Sequence, residues 1–263
     1  MDAVKRNERI LHADHRRAVG QAPTLAFSNS LGTDLRIWDA VVARLPKDLG
    51  ILRYDTAGHG LSPAGAAMSI DDHADDLAAL LDAKEIDRAV VVGLSVGGLI
   101  AQALAQRAPQ RVAGLVLSNT GMTIGTAEIW NARAEAIRAG GMEAIADATM
   151  ERWFSPRFRA GKPEALQLWR TMLAHTPPAG YIDLGLAIRD ADYRDAAAQV
   201  SVPALCIAGA QDSATTPAVV RAMADAIPQA RFEEIPDVGH LPCIEAPGTM
   251  AELISRFVSE ALT

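Results

Sequence analysis

"AVVVGLSVGGLIAQALAQRAPQRV", residues 89–112, decides the fold. An apolar run from Ala89 ends at Gly93-Leu94-Ser95-Val96-Gly97-Gly98, and a helical pattern follows until Pro109. A continuously apolar run is what a strand shows when both of its faces are covered, as in a parallel sheet. Gly-x-Ser-x-Gly alone is a weak signal, because glycine and serine are common. Its place between a buried strand and a helix gives it meaning. A sharp strand-to-helix turn strains the serine backbone, and Gly93 and Gly97 leave room where side chains would collide. The hydroxyl is then pushed out at the carboxyl end of the sheet, where α/β folds bind ligands. The helix N-terminus and the Val96 N–H face any negative charge that develops there.

Outward from this turn, further β-like runs recur: "TLAFSNS" (24–30), "LGILRYD" (49–55), "VAGLVLSNT" (112–120), "VPALCIAGA" (202–210) and "ARFEEIP" (230–236). Helical patterns lie between many of them. "SIDDHADDLAALLDAKEI" offers Ser69 as a cap, with acids in its first turn, where they favour the helix dipole. "TPAVVRAMADAIP" stops at Pro228. Strand alternating with helix predicts an α/β fold with a mostly parallel, doubly wound sheet. Residues 121–195 break the rhythm. They hold amphipathic helical segments, no convincing strand, and Trp130, Trp153 and Trp169. The expectation is an α/β core over 1–120 and 196–263, with 121–195 inserted as a helical lid.

The chain has 263 residues, near the upper limit for a single core. Hydrophobic residues make up 49% and charged residues 22%, which suits a globular protein. A formal net charge of −7, with no basic patch, argues against nucleic acid. No apolar window is long enough for a membrane span. "MDAVKRNERILHADHRR" has no apolar core and does not read as a secretory signal, so a cytoplasmic location is expected. Cys206 and Cys243 are accordingly expected to be reduced.

A serine needs a base, and the base needs an orienting partner. On an α/β hydrolase these follow in the order Ser, acid, His. Asp212, in the loop "AGAQDSATTP" after a strand, and His240, in "IPDVGHLPCIEAP" past the last strand, comply. Asp237 stands only three residues before His240, and Asp212 is preferred because it follows a strand end. Asn119 lacks the charge of an acid. His59 sits in a Gly-rich loop and reads as structural. His12 and His15 lie in a solvated N-terminal hairpin without the further ligands a metal needs. His73 begins an acidic helix and is expected to face water. His175 falls in the lid. No metal or cofactor is expected.

Acyl transfer usually draws on two N–H donors aimed at the oxyanion. Val96 supplies one, and Leu31, in the loop after "TLAFSNS", supplies the other. Many hydrolases of this fold carry His-Gly in that loop, where this chain has Asn29-Ser30-Leu31-Gly32. "LAFSNSLGTDLRIWDAVVARL" resembles the 3-oxoadipate enol-lactone hydrolases of the β-ketoadipate pathway, which carry Asn-Ser-Leu-Gly-Thr there. "RYDTAGHGLSP", "GLSVGGLIAQALAQRAPQRVAGLVLSNTGMTIGTAEIWNAR", "RWFSPRF", "TPPAGYIDLGLAIRDAD" and "GHLPCIEAP" extend the likeness through the lid. Some members of that family are fused to a carboxymuconolactone decarboxylase, and no such fusion is expected here.

The resemblance implies hydrolysis of 3-oxoadipate enol-lactone without cofactor or metal. In that reading Ser95 attacks the lactone carbonyl, His240 takes its proton, Asp212 orients the imidazole, and the Leu31 and Val96 N–H groups hold the oxyanion. The partner is a small anionic lactone, with no nucleic acid, membrane or obligate protein partner. A substrate carboxylate calls for a local cation. Trp130, Arg133 and Ile137 share one helix face, which makes Arg133 the candidate anchor, with Trp130 and Trp153 as candidate pocket walls. Arg189 competes, but Asp190 and Asp192 stand beside it. Rival readings are a carboxylesterase or carbon–carbon hydrolase of the same fold, or a ligand sensor on that scaffold.

Overall fold

The computed structural model describes residues 2–261. Eight strands form one sheet in the order β1-β2-β4-β3-β5-β6-β7-β8: Asp2–Arg6, Arg9–Arg16, Thr24–Ser28, Gly50–Tyr54, Ala89–Leu94, Val112–Ser118, Ala204–Gly209 and Ala230–Ile235 for β1 to β8. β1 and β2 are antiparallel, β2 pairs antiparallel with β4, and every pair from β4 to β8 is parallel. The helices are α1 (Asp39–Val42), α2 (Ile70–Ala83), α3 (Val96–Arg107), α4 (Ala127–Gly140), α5 (Glu143–Trp153), α6 (Pro156–Gly161) and α7 (Pro163–Ala174). They continue with α8 (Pro178–Asp190), α9 (Arg194–Ala197), α10 (Pro217–Ala226), α11 (Pro242–Glu245) and α12 (Pro247–Ala261).

Local chemistry places these elements. Every residue of β5 and β7 is buried, as their continuous apolar sequences require. Ser69 caps α2 through a reciprocal pair of bonds with Asp72. α3 ends before Pro109, which cannot continue a helix. Between β6 and β7 the chain is helical, with no strand. There α4 packs on α5 and α8, while α7 packs on α5 and α6. Among the described residues no helix is long and apolar enough to cross a membrane. Cys206 and Cys243 are buried and unbridged.

Register sets the site. Ser28 pairs with Gly93, Leu94 with Ser118, and Ser118 with Ile207. The loops that leave β3, β5, β6 and β7 therefore open at one edge of the sheet. β3 leads to β4 on one side, whereas β5 leads to β6 on the other. Connections that diverge in this way leave a crevice between adjacent strands at their carboxyl ends. Leu31 and Ser95 sit on those two loops.

One orientation differs from expectation. His73 does not face water; it is only 3% exposed. Ile70, Ala74, Leu77 and Leu81 define the buried face of α2, and His73 lies three residues after Ile70, on that face. Burial pushes its pKa down to about 3, with His59 and Arg9 adding to the shift against the opposing pull of Asp72. His59 is also buried, and desolvation pushes it down to about 4 despite its Ala57 carbonyl contact and the pull of Asp55 and Asp34. The N-terminal hairpin exists, but His12 is not freely solvated, because its Nδ1 lies 2.7 Å from Asp55 Oδ2.

Candidate active site

Ser95 stands between β5 and α3 at φ 57° and ψ −118°, a conformation L residues rarely adopt. Close packing imposes it. A Cβ on Gly93 would lie 2.3 Å from the Gly97 carbonyl oxygen, and a Cβ on Gly97 would lie 2.2 Å from that of Ser28. The turn is further pinned by three bonds: Ser95 N–H to Ser118 O at 3.0 Å, Thr120 Oγ1 to Ser95 O at 2.7 Å, and Gly97 N–H to Asn29 O at 3.1 Å. Among the described residues, Ser95 Oγ has no hydrogen-bond partner. It faces a cavity of about 160 Å3 that His240, Leu31 and Ser30 also line.

Asp212 and His240 are brought together from loops after β7 and β8. His240 Nδ1 lies 2.7 Å from Asp212 Oδ2, and both residues are 3% exposed. The aspartate is held on all sides. Its Oδ1 accepts from Ala214 N–H at 2.7 Å and Thr215 N–H at 3.1 Å. Its Oδ2 also accepts from Asn119 Nδ2 and Thr215 Oγ1, both at 2.8 Å. Burial alone would raise the Asp212 pKa. His240 and the donated bonds outweigh it and hold the carboxyl below its usual range. An ionised Asp212 fixes the proton on His240 Nδ1 and leaves Nε2 as the basic atom.

The Leu31 and Val96 amides, the expected oxyanion donors, are unengaged. Neither Leu31 N–H nor Val96 N–H has an acceptor among the described residues. Asn29, which replaces the histidine usual in this loop, is locked at both ends of its amide. Nδ2 donates to Tyr54 O at 2.7 Å, and Oδ1 accepts from Trp38 Nε1 at 2.9 Å. Leu31 is thereby fixed without the histidine.

The rest of the cavity wall comes mainly from α4, α5 and α8: Trp130, Arg133, Thr149, Arg152, Trp153 and Tyr181 among others. Trp130 is anchored by Nε1 donating to Ile124 O at 2.7 Å. The Arg133 guanidinium lies 4.6 Å from the Trp130 ring centroid and 3.5 Å from Tyr181 Oη. Arg189, its rival, is turned away to Asp190 and Asn131. His175 and Trp169 border a different groove, without Ser95.

Four residues escaped the sequence reading. Asn119, set aside as an acid, braces the acid instead; its φ of 47° and its position just past β6 aim the amide at Asp212. Thr215 closes a turn on the same carboxylate. Glu245 ties the His240 loop to the end of α5, accepting from Gly239 N–H at 2.9 Å and Ser155 N–H at 3.1 Å, while His240 N–H donates to Trp153 O at 2.9 Å. Arg152 reaches the cavity and donates to Thr149 Oγ1 at 2.9 Å. The shared face of Thr149, Arg152 and Trp153, spaced i, i+3, i+4, was the available signal. Among the described residues there is no cluster of three or more metal-ligating side chains.

The chain matches known proteins over most of its length. The α/β hydrolase fold family matches residues 23–247. The chain is 37% identical over 237 residues to 3-oxoadipate enol-lactonase 1 of Acinetobacter baylyi, covering 90% of this chain and 89% of that one. It is 38% identical over 232 residues to 3-oxoadipate enol-lactonase 2 of the same organism, covering 87% and 86%. Among solved structures, the enol-lactonase from Burkholderia xenovorans superposes with a TM-score of 0.94 at 39% identity, covering 98% of this chain and 100% of that one.

Proposed function

The chain belongs to the 3-oxoadipate enol-lactonase family of α/β hydrolases, and from that membership we propose that it hydrolyses 3-oxoadipate enol-lactone to 3-oxoadipate. One observation carries the reading. Ser95, Leu31 and His240 line one small cavity with two arginines, while Asp212 braces His240 from behind and the Leu31 and Val96 amides are unengaged.

Ser95 Oγ attacks the lactone carbonyl as His240 Nε2 takes its proton. Asp212 keeps the imidazole in the required tautomer and stabilises the imidazolium. The Leu31 and Val96 N–H groups receive the oxyanion, each contributing about 3–4 kcal/mol to lowering the barrier. The ring C–O bond breaks, and the enol leaves and tautomerises to the ketone. Water, activated by His240, then releases the acyl group from Ser95. Each step draws on protein groups and water alone.

The substrate carboxylate is met by Arg133, with Arg152 beside it. The segment 121–195 works as a lid over the cavity. Support comes from its share of the lining and from the Trp153 carbonyl, which holds His240 N–H. A cavity of about 160 Å3 suits a single small ring and excludes drug-sized molecules, whose pockets start at about 300 Å3.

The test forms the enol-lactone in situ from muconolactone with its isomerase and follows the fall in ultraviolet absorbance. Acceleration over spontaneous hydrolysis is expected; its absence, with turnover of neutral short esters intact, would assign the site to a general carboxylesterase. Arg133→Met should raise KM for the anionic lactone at least about tenfold more than KM for a neutral ester. Equal effects on the two would remove Arg133 as the anchor.

A further inference from the structure

The cavity around Ser95 holds two guanidiniums that no carboxylate neutralises. Arg133 has a ring face and a phenol; Arg152 has a threonine hydroxyl. Neither lies within 4.0 Å of an acid among the described residues. Many arginines elsewhere meet carboxylates, as Arg6 does with Asp75 and Asp76, Arg107 with Asp71 and Asp75, and Arg170 with Glu143 and Asp147. Burial lowers the Arg152 pKa, and Arg133 lowers it further, while Tyr181 and Glu151 offset this only in part. Two like charges at one wall, partly desolvated, are a standing demand for an anion.

The lining polar groups recognise two features of a ligand. One is a free carboxylate at the Arg133–Arg152 pair; the other is an acyl carbonyl at Ser95 and its amide donors. Trp130, Trp153, Ile124 and Ile129 supply mainly apolar walls between them. Ser30 and Ser213 add hydroxyls to the lining, and a hydroxyl serves a ring oxygen and an alkoxy oxygen alike. An open chain carrying the same two features meets the same contacts.

We propose that this site also hydrolyses acyclic half-esters of short dicarboxylic acids, from succinic to adipic, with the free carboxylate on Arg133 and Arg152. The inference rests on the same Ser95 chemistry as the lactonase reading and extends it to a second substrate class. Ser95 Oγ bonds to the ester carbonyl carbon while its proton passes to His240. The bond from the carbonyl carbon to the alkoxy oxygen breaks, and the alkoxide leaves as the alcohol with that proton from His240. Water, losing a proton to His240, then cleaves the acyl–Ser95 bond, giving the dicarboxylate and restoring the serine. An alkoxide is a poorer leaving group than an enol, so the half-ester turns over more slowly than the lactone.

The test compares monomethyl glutarate with dimethyl glutarate in a pH-stat, using the same preparation assayed on the enol-lactone. The half-ester should exceed the diester in kcat/KM by at least about tenfold, although the protein carries net negative charge. Arg152→Met should bring that ratio towards one, Arg152→Lys should restore part of it, and Ser95→Ala should abolish turnover of both esters. Equal or lower turnover of the half-ester by the unaltered protein overturns the inference, as does a ratio insensitive to both Arg133→Met and Arg152→Met. Lactone turnover without half-ester preference sinks the inference alone. Inactivity on lactone and both esters sinks the lactonase reading with it.

Discussion

Replacing Asn119 with glycine isolates the amide that braces Asp212. Asn119 has φ 47°, which glycine adopts freely, so the backbone can stay as it is. The lost amide donates at 2.8 Å to Asp212 Oδ2 and at 3.2 Å to Gly239 O, and accepts from Ser118 Oγ at 2.9 Å. A bond to a charged acceptor contributes about 1.5–3 kcal/mol and each neutral one about 1 kcal/mol, so a loss of about 3.5–5 kcal/mol is expected at pH 7. The pH dependence separates this account from a simple loss of packing. The Asp212 pKa is depressed in the folded state, so its stabilisation is full above the unfolded value of about 3.8 and is lost as pH falls through the folded value. Without Asn119 the folded pKa rises towards the ordinary range. The deficit of the variant should therefore hold from pH 7 to about 5 and shrink below about 4. Urea titrations across that range, at constant m-value, read it directly. A deficit under about 1 kcal/mol at pH 7, or one that persists undiminished at pH 3, would refute the bracing argument.

Two further perturbations follow from the same geometry. Gly97→Ala places a Cβ 2.2 Å from Ser28 O, so the turn must shift; thermal unfolding should show a loss of about 3 kcal/mol or more with activity abolished, and a fully active, stable variant would contradict the packing at Ser95. His59 and His73, depressed to about 4 and about 3, favour the neutral ring in the fold, so their stabilisation is complete above about pH 6.5 and falls as pH drops towards those values. Each contributes a slope of up to about 1.4 kcal/mol per pH unit, and His73→Gln should flatten the stability profile between pH 6.5 and 4; an unchanged slope would mean that His73 charges freely in the fold.

The sheet and the serine turn were legible because their signals are local. A buried strand declares itself by a continuous apolar run, and the strained turn by glycines where backbones touch. The acid and the histidine were legible through their positions after strand ends. What sequence concealed was the support around them. Asn119 lacks a charge, and only the register of β5, β6 and β7 brings its amide to Asp212. Glu245 looks like a surface acid until the chain folds back and three hydrogen bonds converge on it. Arg152 reads as a solvated cation on an amphipathic helix, because sequence does not say which arginines find a carboxylate. His73 was misplaced for a different reason. The acids around it mark a solvent face, whereas the spacing from Ile70 to Leu77 puts His73 on the buried one.

The most direct measurement is stopped-flow consumption of the enol-lactone by Ser95→Ala beside the unaltered protein. The account predicts a fall in kcat of roughly 10^4- to 10^6-fold with an unchanged melting temperature, since the oxyanion donors and the cavity remain. Turnover by the alanine variant within tenfold of the unaltered protein would contradict it.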